Sequence, residues 1–186
     1  MIIEIDDAGT GDLVGDAFIG FLREETGEII FKTLSVELFK GDNWKNKKPF
    51  EEAVNLVKDG LKELDFQREN EIIKLCRGSI FDQVRDYFKE QKINYKDAKI
   101  EGKLQEAVEG KLVEYLRNDL NVRSKNLTKK SGAKRFFVLF NWVSYDFSNR
   151  EKYVKTGFKK WNTTWREQAI KKNRKTRSSR KAFHYE

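Results

Sequence analysis

Residues 2–11 read Ile-Ile-Glu-Ile-Asp-Asp-Ala-Gly-Thr-Gly, and this stretch decides the fold. Its isoleucine-rich start favours a β-strand. The Ala-Gly-Thr-Gly sequence at residues 8–11 favours a turn, because glycine adopts turn conformations without steric cost. The first strand is therefore predicted to end at two adjacent acids, Asp6 and Asp7.

Strands and helices are predicted along the rest of the chain from their apolar periodicity. Two further strand candidates, at residues 16–23 and 28–39, flank a four-residue loop that contains glycine, as in a hairpin. The only proline, Pro49, stands where a helix would begin. The later predicted elements are a helix over 50–64, a strand over 72–76, a helix over 80–88, a short strand over 95–100, a helix over 104–115, a strand over 135–141 and a helical stripe over 154–165.

This order predicts one α/β domain over residues 1–170. Its mixed sheet would have an antiparallel three-strand start followed by parallel strands, with flanking helices. Apolar residues fade after Ile170, so residues 171–186 are predicted to form a basic, flexible C-terminal arm.

Composition excludes several classes of protein. The chain has 186 residues, 38% of them apolar, which suffices for one sizeable core. A single cysteine, Cys76, and a single histidine, His184, exclude an internal disulfide, a zinc site and a Ser-His or Cys-His pair, so any metal must be held by oxygen. The start turns acidic at once and no apolar run approaches a membrane span, so we expect a cytoplasmic protein without membrane contact.

Charge is distributed very unevenly. Residues 1–120 carry 19 basic and 26 acidic side chains, a net −7, whereas residues 121–186 carry 19 basic and 4 acidic, a net +15. Such segregation suggests a nucleic-acid partner, because lysine and arginine gain affinity by releasing counterions from phosphates. A solvated basic face or an anionic protein partner would give the same pattern.

An aromatic stripe interleaved with basic residues continues this region, from Val154 through Phe158 and Trp161 to Trp165. These rings could stack on bases, but a stripe at helical spacing is more typical of core packing, with the basic side chains left facing outward. The candidates for phosphate contact are Lys159, Lys160, Arg166, Lys171, Lys172, Arg174, Lys175 and Arg177.

The sequence Ile5-Asp6-Asp7-Ala8-Gly9-Thr10-Gly11 resembles the Ile-Asp-Glu-Ala-Gly-Arg-Gly opening of the type 2 ribonucleases H. It is also similar to the Ile-Asp-x-Gly-Ser/Thr opening of the Holliday-junction resolvases of the same superfamily, which would align Asp7. Residues 77–80 and 95–114 loosely resemble a later resolvase stretch, and the order of elements is that of a ribonuclease H-like domain.

The resemblance implies a nuclease that hydrolyses phosphodiesters in structured nucleic acid, such as branched DNA or RNA–DNA hybrids, with two Mg²⁺ or Mn²⁺ ions between clustered carboxylates. Asp6 and Asp7 would be the central catalytic metal ligands. Where the resolvases carry a glutamate at the end of the central parallel strand, this chain has Cys76, which we interpret as a small buried side chain. Paired cleavage would suit a homodimer, although no residue indicates one.

Two more carboxylates are candidate catalytic metal ligands. Glu101 falls within the apolar stripe of the third helix by helical spacing, and Asp146 follows the late strand, where the family carries a closing carboxylate. Each has a structural alternative, since Glu101 could be a helix N-terminal acid and Asp146 a helix cap. Asp6 and Asp7 could likewise bond only to amides of their own turn. Glu109, further round the third helix, is expected to be solvated.

Two other functions remain open on sequence alone. A non-catalytic nucleic-acid-binding module could keep the same fold and basic region after losing carboxylates. The residues Asp7-Ala8-Gly9-Thr10-Gly11 also resemble the phosphate turn of actin-like kinases and ATPases, although those enzymes need two such domains around the nucleotide.

Overall fold

The computed structural model describes residues 1–125, 127 and 132–182, with side chains as far as Thr176. These residues form an α/β fold around an open, mixed five-stranded sheet. The strands are β1 (Ile2–Ala8), β2 (Ala17–Arg23), β3 (Ile29–Leu34), β4 (Ile72–Cys76) and β5 (Tyr95–Ala98). The helices are α1 (Gly41–Lys45), α2 (Lys48–Glu63), α3 (Asp82–Glu90), α4 (Lys103–Asn118), α5 (Gly132–Tyr145), α6 (Phe147–Arg150) and α7 (Arg166–Ala182).

The strand order is β3-β2-β1-β4-β5, with β1 in the centre. β1 pairs antiparallel with β2 and parallel with β4, and β4 pairs parallel with β5. The predicted α/β class, with an antiparallel three-strand start followed by parallel strands, is confirmed. Since β1, β4 and β5 run the same way, their carboxyl ends meet at one edge of the sheet, where open α/β sheets usually bind ligands.

Helices cover both faces of this sheet. Ile3 and Ile5 of β1 are fully buried in a core that includes Val57 of α2 and Phe88 of α3. The opposite face packs against α4, where Ala8 belongs to the core of α4 and α5. Alternate residues of β1 therefore face different helices, because successive strand side chains point to opposite sides.

Most predicted elements of the first 120 residues are confirmed, with shorter bounds for two strands. The third strand ends at Leu34, and residues Val36–Phe39 form a 3₁₀ turn whose preceding Ser35 accepts a hydrogen bond from the Glu37 amide. The short strand over 95–100 ends at Ala98.

The strand predicted over 135–141 is wrong, because these residues lie within the helix α5. The apolar residues of this run recur at helical spacing. Leu139, Phe140 and Val143 are buried on one side, whereas Phe137 is 51% exposed. A buried helix and a buried strand give similar apolar runs, so length decides, and α5 has 14 residues.

The helix predicted over 154–165 is wrong at its beginning. Val154 forms an isolated antiparallel bridge with Val14, and the helical conformation begins only at residue 159. It continues through a π-helical turn at Trp161–Trp165 into α7. Helix α7 continues to Ala182, so the segment predicted as a flexible arm is helical over 171–182. The division of the chain at residue 170 stays a prediction.

Within the described ranges, no helix combines the length and the apolar character that crossing a lipid bilayer requires.

Candidate functional site

Asp6 and Asp7 end β1 at the sheet edge where the parallel strands finish, and both line a cleft of about 280 Å³. Asp6 lies opposite Gly20 of β2, the strand position that packs on α4, whereas Asp7 approaches Gly78 in the loop after β4. The other lining residues come from the end of β4, the segment after β5 and helix α4: Cys76, Arg77, Ala98, Lys99, Ile100, Gln105 and Glu109.

The turn after β1 requires glycine at position 9. Gly9 has φ +88°, and a Cβ atom there would lie 2.9 Å from Leu112 Cδ1 and 3.2 Å from the Asp16 carbonyl oxygen. Both the left-handed backbone and the close packing on α4 therefore exclude a side chain. This fixes the direction in which the chain leaves the two acids.

The C-terminal part of the chain holds this turn in place. Gly15 donates its amide hydrogen to the Tyr153 carbonyl (2.8 Å), and the Lys155 amide donates to the Leu13 carbonyl (3.0 Å). The Lys155 ammonium, fully buried, donates to the Gly9 carbonyl. Burial lowers the pKa of Lys155 to about 8, opposed by the negative charges of Asp12, Asp16 and Asp7. Lys155 is thus buried against the turn between β1 and β2, residues 9–16, which we call the acidic turn.

Asp7 is partly buried and held from two sides. The Thr10 hydroxyl donates a 2.6 Å hydrogen bond to its Oδ2 atom. Gly78, in the loop after β4, approaches so closely that a Cβ atom would lie 2.7 Å from Asp7 Oδ1. Burial raises the pKa of Asp7 to about 6, and the charge of Asp6 adds to this, against the Thr10 bond and the Lys155 charge. Thr10 and Gly78 therefore hold the Asp7 carboxylate in one position, where burial makes its ionised form less favourable than in water.

Asp6 is 6% exposed and adjoins the thiol of Cys76. Burial raises the pKa of Asp6, while a hydrogen bond from the Cys76 thiol lowers it. Burial, together with the hydrogen bond to Asp6, raises the pKa of the Cys76 thiol to about 12. The thiol is therefore protonated at neutral pH and donates to Asp6, and it is not poised as a nucleophile.

The donor set fits a cation held by two carboxylates. Potential ligand atoms of Asp6, Asp7 and Cys76 lie within 4.8 Å of one another. Two adjacent buried acids with raised pKa values lack full charge compensation, which a divalent cation would supply. Mg²⁺ is commonly bound by one or two carboxylates while it keeps several waters, and a protonated thiol is a poor ligand for it.

Glu109, expected to be solvated, has a side chain that is 42% exposed and that also lines the cleft. Its Oε2 atom accepts a 2.8 Å hydrogen bond from Arg135 Nη1, and its charge raises the pKa of both Asp6 and Asp7. Val113 and Leu116 are buried as well as Leu112, so the buried face of α4 is wider than the predicted stripe, and Glu109 lies at its partly exposed margin.

Arg135 joins α5 to the acidic turn. Its Nε atom donates to Asp12 Oδ1 at 2.9 Å. Asp12 is 6% exposed, and its other oxygen, Oδ2, is buried with no hydrogen-bond partner among the residues that the structure describes. The same guanidinium bonds Glu109, so one cation ties the turn after β1 to α4. No local sequence pattern predicts this pairing.

The structure does not bring the other two predicted ligands into the group formed by Asp6 and Asp7. Glu101 precedes α4, which begins at Lys103 after Gly102, so helical spacing does not apply to it. Its exposed side chain forms an ion pair with Lys99. Asp146 precedes α6 and accepts hydrogen bonds from the Asn149 side chain at 3.0 and 3.1 Å, without a side-chain cap to the helix amides. Their roles as ligands stay predictions.

The predicted phosphate-contacting residues lie in different settings. Lys159 and Lys160 are exposed and line a groove with several aromatic rings. Arg166 pairs with Glu151, Lys171 pairs with Glu167, and Lys172 donates to Asn141. Arg174 and Lys175 are exposed on α7. The side chain of Arg177 lies outside the described residues.

Comparison with known proteins gives no relative from which to infer function. No protein-family model matches the chain. A search of curated proteins finds no match either. The assignment of function therefore depends on the site itself.

Proposed function

We propose that this protein is a metal-dependent nuclease that hydrolyses phosphodiester bonds in structured nucleic acid, on a ribonuclease H-like fold. The main support for the proposal is that two poorly solvated carboxylates, Asp6 and Asp7, line the same open cleft at the end of the central strand. The sheet order and mixed strand directions support the choice of fold.

Asp6 and Asp7 would hold Mg²⁺ or Mn²⁺. Such an ion stabilises negative charge on phosphoryl oxygens and lowers the pKa of a bound water. The chain itself fixes the two carboxylates, through Thr10 on Asp7 and the Cys76 thiol on Asp6. Glu109 adds a third carboxylate at the cleft wall.

The rim of the cleft supports an anionic substrate. Arg77 and Lys99 both line it and both are exposed. Within the described part of the chain, the Arg77 guanidinium has no hydrogen-bond or ion-pair partner. Cations at the mouth of an acidic cleft would attract a phosphate backbone and orient it without reading its sequence.

The test is cleavage of labelled four-way DNA junctions and RNA–DNA hybrids in Mg²⁺, in Mn²⁺ and in EDTA. We expect metal-dependent cleavage, and its loss in Asp7→Asn. Asp59→Asn removes an exposed carboxylate on α2 and should leave cleavage unchanged. Absence of cleavage on every substrate, with no change in thermal stability on adding Mg²⁺, would refute the proposal.

A non-catalytic nucleic-acid-binding module is the second candidate, because the thiol of Cys76 lies beside Asp6 where another carboxylate would complete a cation site. Glu109 is also already neutralised by Arg135. Binding with a steep dependence on salt, but no cleavage with either metal, would select this function.

A further inference from the structure

A groove beside the acidic turn combines aromatic rings with exposed cations. We name it the aromatic groove; its main lining residues are Trp44, Phe136, Phe158, Lys159, Lys160 and Trp165. Its volume is about 460 Å³, within the range of small-ligand sites. Part of each aromatic ring system is accessible to solvent, since none of these aromatic residues is fully buried.

A second hollow links the aromatic groove to the surroundings of Asp7. This hollow of about 200 Å³ shares Trp44 and Phe158 with the groove and is lined at its other end by Thr10 and Ser79. Thr10 is the residue that donates to Asp7. Thr10 therefore lies between Asp7, which it contacts, and a hollow that shares two aromatic residues with the groove.

The groove combines partly exposed aromatic residues with cationic side chains, so its chemistry suits an anionic ligand with flat apolar parts. The ammonium groups of Lys159 and Lys160 have no hydrogen-bond or ion-pair partner within the described residues. An apolar protein segment packed over them would remove these cations from water without a partner, which is costly.

The groove is built on an unusual backbone. Trp161 and Trp165 are the two ends of the π-helical turn before α7. Trp165 packs edge-to-face against Phe136, with 5.0 Å between ring centroids, and Trp44 packs in the same way against Phe158 at 5.4 Å. Rings held by their neighbours can stack on a ligand with little loss of conformational freedom.

We propose that the aromatic groove binds an unpaired nucleic-acid strand, with bases stacked on Trp44 and Trp165 and phosphates bound by Lys159 and Lys160. Every base has a π-face, so stacking of this kind tolerates any sequence. The inference extends the proposed function, on which it rests, by specifying a substrate with a single-stranded segment next to the scissile bond.

The test is binding of fluorescein-labelled dT₁₂ and rU₁₂, measured by fluorescence anisotropy in EDTA at several salt concentrations, beside a blunt 12-base-pair duplex. We expect the single strands to bind more tightly than the duplex. The double variant Lys159→Ala/Lys160→Ala should lower the slope of log affinity against log salt by about 1.4, because each phosphate contact on a single strand contributes roughly 0.7.

A second variant separates stacking from charge. Trp165→Leu should weaken binding of dT₁₂ about tenfold and leave the salt slope unchanged. Lys62→Ala, which removes an exposed lysine of α2, is the matched control and should change neither quantity. Circular dichroism melts establish that each variant is folded; the lysine substitutions lie on the surface and are the decisive ones.

The inference is overturned if the double lysine variant binds with the wild-type affinity and salt slope, or if the blunt duplex binds as tightly as the single strands. Its failure is distinct from that of the proposed function. Tight, groove-dependent binding without metal-dependent cleavage refutes the nuclease and keeps the groove, whereas cleavage by a protein whose groove variants bind normally refutes the groove alone.

Discussion

Replacing Asp7 with asparagine should stabilise the folded protein in metal-free buffer at pH 7. Burial raises the pKa of Asp7 from its ordinary 3.8 to about 6, so the ionised carboxylate is less favourable in the folded chain than in the unfolded chain. This shift corresponds to at most about 3 kcal/mol in the free energy of unfolding. Asparagine removes the charge and keeps an oxygen that can accept from Thr10.

The gain should depend on pH in a defined direction. Well below pH 3.8 the carboxyl group is protonated in both states, so wild type and Asp7→Asn should differ little through this charge. As pH rises through about 6, the group ionises in the folded protein as well and the full penalty appears. The variant should therefore gain most relative to wild type above pH 6.

Thermal unfolding measures this effect with and without Mg²⁺. For a domain of this size about 1 kcal/mol shifts Tm by roughly 2–4 °C, so the variant should melt up to roughly 10 °C higher in EDTA at pH 7. Wild type should gain stability on adding Mg²⁺, by about 2.7 kcal/mol when the ion is at 100 times its Kd, and the variant should not. Asp59→Asn serves as the control.

The reasoning is refuted if Asp7→Asn melts below wild type in EDTA at pH 7 while it keeps the wild-type response to Mg²⁺. That result would mean that the ionised carboxylate contributes favourable contacts to the folded state and has no part in binding a cation.

Three further predictions concern the contacts around the acidic turn. Because the pKa of Lys155 is lowered from 10.5 to about 8, the unfolded chain binds more protons between these values; stability should rise by about 3 kcal/mol over that interval, and Lys155→Met should lose this rise in urea unfolding curves. Arg135→Met leaves buried Asp12 without its cation and should cost about 3 kcal/mol; a loss below about 1 kcal/mol in the same assay would contradict this account. Gly78→Ala places a methyl group against the Asp7 carboxylate and should weaken the stabilisation of the protein by Mg²⁺. Gly110→Ala is the control, because no atom lies within 4 Å of the added carbon, and it should not weaken this stabilisation. Melting curves with titrated Mg²⁺ measure both.

The sequence predicted the sheet well because its strands have strong local signals. The isoleucine-rich β1, the hairpin of β2 and β3 and the helix that begins near Pro49 are each specified by neighbouring residues. The strand predicted over 135–141 failed because a continuous apolar run satisfies both periods. There, burial in the tertiary structure selects the helix.

The site was only partly predictable, because its other members come from distant parts of the chain. Asp6 and Asp7 were found from one short segment. Lys155 was missed because a lysine is almost never fully buried without a partner. No local sequence pattern distinguishes a buried lysine from an exposed one. Glu109 was not predicted because its half-exposed side chain is placed at the cleft together with Arg135 of α5, and no local pattern marks a pairing of residues so far apart in the chain.

The pairing of residues 13–15 with residues 153–155 determines when the site can form. A growing chain that has emerged only as far as α5 already contains both acids of β1, but the carbonyl of Gly9 still lacks the ammonium group that will bind it. Residues 13–15 and 153–155 must pair before the turn that follows the two acids is fully held. Fragments that lack the last 35 or so residues should therefore display the strand without its organised turn.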